Sequence, residues 1–210
     1  MAAAGVGTAM SGPGVQTASA AALVTSVAPR RPVEEQLRAA GLELLGCCVQ
    51  LSDRRELLQE SPLLADFTPA ELDILGEAML RVRAQAGQVL IAEDDISDWM
   101  MLLLSGTVDV GKRKVGAEVL QPPRADTTRL AVVKAGAVLG EMSMLDGEPR
   151  YASCWALGEV EAAVLSRAAV ARLITEQPAV GAKLLVKLTQ LLAQRLRNTS
   201  NQVMRMLQAG

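Results

Sequence analysis

Between Val82 and Leu165 glycines cut the chain into short apolar runs, and this punctuation limits the fold more than any other feature of the sequence. The runs are the region of Val82, Gly87–Ile91, Trp99–Leu104, Thr107–Val110, Leu130–Val133, Tyr151–Leu157 and Val160–Leu165. Thr107–Val108–Asp109–Val110 alternates with period two, as a half-buried strand does. Ser105–Gly106 reads as a tight turn joining two of the strands. Many short strands punctuated by glycine make a sandwich, a barrel or a jelly roll. Phe67, Tyr151, Trp99 and Trp155 are the whole aromatic set, so the core has to be built from Leu, Val, Ile, Ala and Met.

The flanks have a helical texture. Residues 1–30 are small, with Gly12–Pro13 among them, and have the composition of a disordered tail. From Val33 to about Leu58, Leu37, Leu44, Leu45, Cys48, Leu51 and Leu58 recur at roughly helical spacing. Gly41 and Gly46 predict that this helix is broken or kinked. Thr68–Pro69–Ala70–Glu71 starts a helix that runs to about Met79: Thr68 caps, Pro69 takes the first position and Glu71 closes the capping box. The polar stretch from Gly111 to Thr128, with Pro122–Pro123, reads as a long exposed loop. Ser166 caps a short helix through Thr175, and Pro178 opens a second that runs nearly to the last residue. Leu185, Leu188, Leu192, Leu196, Thr199, Val203 and Met206 form its stripe. A stripe that long needs the barrel, the Val33–Leu58 segment or a partner helix to cover it. The organisation is therefore a tail (1–30), an N-terminal helical extension (31–60), a β-barrel (61–177) and a C-terminal helix (178–208) expected to form a homodimer.

Several functions are disfavoured by composition. A net charge of -2 offers no basic face, so no nucleic-acid partner is expected. Three cysteines, no histidine and no CxxC spacing leave too few ligands for a zinc site, so no metal or cofactor is expected. The cysteines read as small buried hydrophobes in a reducing compartment. The longest apolar runs are far short of the ~20 residues that span a bilayer, and the N-terminus lacks the basic and apolar regions of a signal peptide. The expected setting is cytoplasmic, away from membranes. Without histidine, or a nucleophile beside an evident base, the chain is not expected to be an enzyme. Lys112–Arg113–Lys114 reads as a solvated hairpin tip, and Asn198–Thr199–Ser200 as an accidental glycosylation pattern.

The informative stretch is Gly136 to Ser153, G-A-V-L-G-E-M-S-M-L-D-G-E-P-R-Y-A-S. A short helix, Glu141 to Leu145, begins at Gly140, Asp146–Gly147 turns the chain, and Arg150 enters a strand. The helix N-terminus offers free N–H groups and a positive dipole end. The Arg150 guanidinium can reach the same spot as a bidentate partner for one phosphate. Glu141 would repel a phosphate, but its carboxylate suits a ribose hydroxyl. Phosphate donors and a hydroxyl acceptor in one loop indicate a nucleotide, whereas a plain surface ion pair between Arg150 and Glu141 would contribute little.

This stretch resembles the phosphate-binding cassette of cyclic nucleotide-binding domains, the type found in catabolite activator protein and protein kinase A regulatory subunits. Gly140, Glu141, Met142, Ser143, Arg150 and Ala152 match its pattern, and Gly87, Gly106 and Gly136 match the family's turn glycines. The resemblance covers about residues 61–205. It implies a mainly β fold with flanking α: a jelly-roll barrel with N-terminal helices and a long C-terminal helix. It implies that Arg150 holds the cyclic phosphate and Glu141 the ribose 2′-hydroxyl. Tyr151 stands where the family has a small residue, and its ring would crowd the phosphate or stack near the purine. Leu192 to Ser200 is similar to the dimerisation helix of catabolite activator protein, which implies that Thr199 and Ser200 read the base. Solvated or packing roles for this pair weigh equally.

The expected function is a cyclic nucleotide sensor, cyclic AMP first, that signals to a protein effector. A ligand-free scaffold, or a cyclic di-GMP sensor of the same fold, is the alternative. A transcription factor of the catabolite activator type would need a helix-turn-helix after the long helix, and the sequence stops at Gly210.

Overall fold

The computed structural model describes residues 31–47, 49–114 and 126–208. The tail expected at 1–30, Cys48 and most of the loop expected at 111–128 lie outside the described residues. Among the described residues nine strands form two antiparallel sheets. The first has the order β1 (Glu43–Cys47), β2 (Leu80–Ala84), β9 (Val160–Ser166), β4 (Trp99–Ser105), β7 (Val138–Leu139). The second has β3 (Val89–Ile91), β8 (Ser153–Ala156), β5 (Thr107–Arg113), β6 (Thr127–Lys134). Apart from the pairs β1–β2 and β5–β6, strands consecutive in sequence lie in different sheets, as in a jelly roll: Gly106 turns β4 into β5 across the two layers.

The unbroken apolar run Trp99–Leu104 is explained by burial on both faces. Trp99, Met101 and Leu103 point into the barrel with Val82, Leu90, Val108, Ala162 and Val164. Met100, Leu102 and Leu104 point the other way, into a layer of helices with Leu63, Leu72, Leu75, Leu184 and Leu188. Because side chains alternate across a strand, such a segment lacks the polar-apolar rhythm of a half-buried one. Strand β9 behaves likewise: Ala162 and Val164 face the barrel, Ala163 and Leu165 the helices.

The helices follow their caps. Helix α3 (Pro69–Glu77) has the full capping box, with Pro69 in its first turn. Helix α5 (Arg167–Glu176) starts at Ser166, whose hydroxyl accepts from the Ala169 N–H at 3.1 Å. Helix α6 (Pro178–Gln208) buries Val180, Gly181, Leu184 and Leu188 and then leaves the body. Leu196 is 70% exposed and Met206 64%.

The segment Val33–Leu58 differs from expectation. Helix α1 (Val33–Ala39) stops at Gly41, β1 follows, and α2 (Arg55–Glu60) is the second helical piece. Strand β1 pairs with the edge of β2, and Gly46 at φ 128° absorbs the register shift between Leu44 and Gly46. Pairing with an otherwise open edge overrides a helical spacing of leucines. Leu37 of α1 packs in the barrel interior, while Leu51 and Leu57 join the helical layer. Neither covers the distal part of α6. Cys47 is exposed rather than a buried hydrophobe, whereas Cys154 is buried and its thiol is pushed up to about 12 by that burial.

An ion pair fastens α6 to α3. Lys183 Nζ lies 2.7 and 2.6 Å from the two Glu71 carboxylate oxygens and 5.3 Å from the Phe67 ring centre. The hydrogen bond from Lys183, then that from the Thr68 N–H, hold the Glu71 carboxyl at about 2 against an ordinary 4.5. A lowered carboxyl pKa stabilises the fold above its unfolded value, and that stability is lost as pH falls towards the folded value. Thermal melts of wild type and Glu71→Gln should therefore differ at pH 6 and converge between pH 4.5 and 2; parallel curves would refute the assignment.

Candidate functional site

The short helix α4 (Glu141–Asp146) lies between β7 and β8 and is bounded by Gly140 at φ 74° and Gly147 at φ 84°. Beneath its first turn sits Arg150, only 2% exposed. Arg150 lies three residues ahead of β8 rather than within a strand, and backbone bonds to the 93–98 loop fix it: its N–H donates to Asp95 O and its carbonyl accepts from Asp94 N–H, each at 2.9 Å. Its Nε donates to Ser97 Oγ at 2.7 Å, Nη1 to Gly140 O at 2.6 Å and Nη2 to Trp99 O at 2.5 Å. The guanidinium carbon stands 4.4 Å from the Trp99 ring centre. Gly140 is fixed by this neighbour as well as by its positive φ: a methyl group there would lie 2.3 Å from Arg150 Nη1.

These acceptors are two carbonyls and one hydroxyl, so no carboxylate touches the guanidinium among the described residues. Burial accordingly draws Arg150 down to about 10, against the weaker opposing pull of Asp95 and, further along, Glu141 and Asp98. An anion bonded to the guanidinium would relieve that penalty. Among the described residues three of the five N–H groups of the arginine are engaged, which leaves two for such a partner.

Glu141, also 2% exposed, does not point freely into a ligand space. It forms an ion pair with Arg195 of α6, whose Nη2 also donates to Val138 O at 2.6 Å. The sequence reading missed Arg195, although it lies one helical turn before Thr199, a spacing that puts both on one face. It also missed Ser97, which no local signal marks. Thr199 and Ser200 are exposed on α6 beyond Arg195, and Met142 is exposed on α4. Ser143 is buried and its hydroxyl donates to Pro149 O at 3.4 Å.

Tyr151 is 59% exposed, with Lys112 Nζ 4.0 Å above its ring and 2.7 Å from its carbonyl oxygen; Ala152 beside it is half-buried. The ring therefore lies at the surface beside a cation. Lys112 and Arg113 are not a solvated tip: Lys112 pairs with Glu93 at 3.2 Å, and Arg113 pairs with Glu93 and Asp94. Gly140, Glu141, Ser143 and Arg150 are thus brought together, and α6 joins them through Arg195. Among the described residues no group of three His, Cys, Asp or Glu side chains is placed to hold a metal, and no helix is long and apolar enough to cross a membrane.

The sequence profile of the cyclic nucleotide-binding domain matches residues 81–177, which contain β3 to β9, all of β2 but its first residue, and the whole α4–Arg150 region. A solved cyclic nucleotide-binding domain from Methylobacillus flagellatus is 34% identical, with a TM-score of 0.67, over 79% of this chain and 89% of that one. The chain belongs to the cyclic nucleotide-binding domain family. Among curated proteins it is similar to a CRP-like cAMP-activated global transcriptional regulator of Mycobacterium tuberculosis, 27% identical over 70% of this chain and 60% of that protein. It is also similar to the cAMP-dependent protein kinase regulatory subunit of Aspergillus niger, 34% identical over 56% of this chain and 26% of that subunit. It spans less than two thirds of either.

The crowding at Gly140 yields a direct test. Gly140→Ala should destabilise the protein by about 1–3 kcal/mol, from the positive φ and the displaced guanidinium together. Gly158→Ala, where a methyl group meets nothing within 4 Å, should stay within about 0.5 kcal/mol of wild type. Urea titrations of the two variants compare them; equal midpoints would contradict the packing of Gly140 on Arg150.

Proposed function

We propose that this protein is a non-enzymatic sensor that binds a cyclic mononucleotide, cyclic AMP first, and passes occupancy through α6 to a protein effector. The observation that carries this reading is the Arg150 guanidinium: buried, held by neutral acceptors, lowered by desolvation and lodged beneath the α4 turn. A cyclic phosphate is a single negative charge that suits two remaining N–H groups. Family membership and the names of the curated relatives, which specify cAMP, support the ligand class. In this reading Gly140, Glu141, Met142, Ser143, Arg150, Tyr151 and Ala152 form the phosphate and ribose side, and Arg195 shares Glu141 with the ribose. Thr199 and Ser200 face the base.

The exposed stripe of α6 supports a homodimer. Leu196, Val203 and Met206 extend past the last buried residue, Leu188, and the Val33–Leu58 segment packs elsewhere. Two such helices paired about a two-fold axis would bury both stripes and bring the second Thr199–Ser200 pair to each site.

A ligand-free scaffold is the second reading, favoured by one observation: the Glu141 carboxylate is already taken by Arg195. Calorimetry with cyclic AMP, cyclic GMP and cyclic di-GMP separates the two. Cyclic AMP should bind, and Arg150→Ala should weaken binding at least tenfold, since losing one partner of a buried charge pair costs ~2–5 kcal/mol. Arg150→Lys, which keeps the charge, guards against a variant that fails to fold. Heatless injections of all three nucleotides would establish the scaffold instead. For assembly, light scattering at tens of micromolar (a chosen working range, on the order of a weak dimer's Kd) should give a dimer for wild type and a monomer for Leu192→Glu/Leu196→Glu. A monomeric wild type, with or without cyclic AMP, would end the dimer proposal.

A further inference from the structure

The nucleotide-site arginine is connected to the N-terminal helix by a short polar path. Trp99, the first residue of β4, stacks its ring beneath the Arg150 guanidinium at 4.4 Å and lends its carbonyl to Arg150 Nη2. The edge of the same indole donates from Nε1 to Gln36 Oε1 of α1 at 3.1 Å. An indole N–H can only donate, so the Gln36 amide must present its oxygen there. That turns its NH₂ towards the Arg31 carbonyl at 2.7 Å and the Asp98 carboxylate at 3.4 Å. Leu37, next in the helix, is fully buried in the barrel cluster that contains Trp99. Helix α1 is therefore fastened to the barrel by a hydrogen bond to Trp99 and by an apolar plug in the barrel cluster, and the face of the Trp99 ring carries the guanidinium.

We infer that Gln36 and Trp99 are positioning residues for Arg150, with Gln36 acting through the Trp99 indole, so that the docking of α1 sets nucleotide affinity. The affinity part rests on the proposed function; the positioning part does not. A cation over an aromatic face is directional, and its strength depends on where the ring lies. A tryptophan in a packed interior has few alternative settings, so its tether to Gln36 fixes the ring under Arg150. Because coupling is reciprocal, anything that lifts α1 weakens nucleotide binding, and bound nucleotide tightens α1.

The test uses the full chain, with Gln36→Leu, Trp99→Phe and the double variant. Leu fills the Gln36 volume without an acceptor; Phe keeps an aromatic face under Arg150 without the N–H. The ligand-free readout is the Arg150 Nε–H resonance, whose donor bond goes to Ser97 and which neither Gln36 nor the indole N–H touches. It should move in both single variants. In calorimetry, Gln36→Leu should weaken cyclic AMP binding by about threefold to tenfold, and should add nothing further in the Trp99→Phe background, as expected of residues that act as a unit. An unmoved Arg150 resonance in both folded variants, or effects on affinity that simply add, would overturn the proposal. If the wild type binds no cyclic nucleotide, the functional reading fails, while the ligand-free resonance still decides the positioning claim either way.

Discussion

A guanidinium shut away from water without a carboxylate in contact has to be held by dipoles, and every dipole must come from a fixed place. For Arg150 those places are Gly140 on the turn into α4, Ser97 in the loop before β4 and the backbone of Trp99. They belong to two segments distant in sequence, Ser97–Trp99 and Gly140. Their meeting point depends on β4 lying between β9 and β7, with β7 paired to it at Met101 and Leu102. The barrel therefore serves as a frame for one cation. Its desolvation is tolerable because the fold supplies partners of defined geometry.

Strand β4 is where the two halves of the interior meet. One face closes the barrel, and the other is the floor on which α3, α5 and α6 rest. The same strand thus supports the site arginine at its first residue and the base of α6 further along. The ion pair between Arg195 and Glu141 closes the loop from the outside, so the cassette contacts α6 as well as the barrel.

Much of this was legible in the sequence, and the reasons differ by element. Thr68–Pro69–Ala70–Glu71 encodes a local hydrogen-bond pattern, and that helix begins where the pattern says. The seven apolar runs between glycines became strands because turns and alternation are also local. What failed was set by distant partners. The leucines of the Val33–Leu58 segment are spaced for a helix, yet the open edge of β2 claims Glu43–Cys47. A strand of two residues, Val138–Leu139, has no period to detect. Lys112 and Arg113 look solvated until the fold brings Glu93 and Asp94 against them. At the site, Gly140, Glu141 and Arg150 could be read as a group from one stretch of chain. Ser97, Trp99 and Arg195 come from elsewhere, and only the tertiary structure adds them.

The free portion of α6 has a mechanical consequence. From Leu188, its last buried residue, to Gln208 the helix runs about 30 Å at ~1.5 Å per residue. Were it to tilt about its buried end, Arg195, which holds Glu141, would lie on the short arm. At that length each degree of tilt sweeps the tip through about half an ångström. A sub-ångström adjustment of Glu141 would then be magnified at the far end, where the apolar side chains are: the short arm of such a lever lies at the cassette and the long arm beyond the barrel.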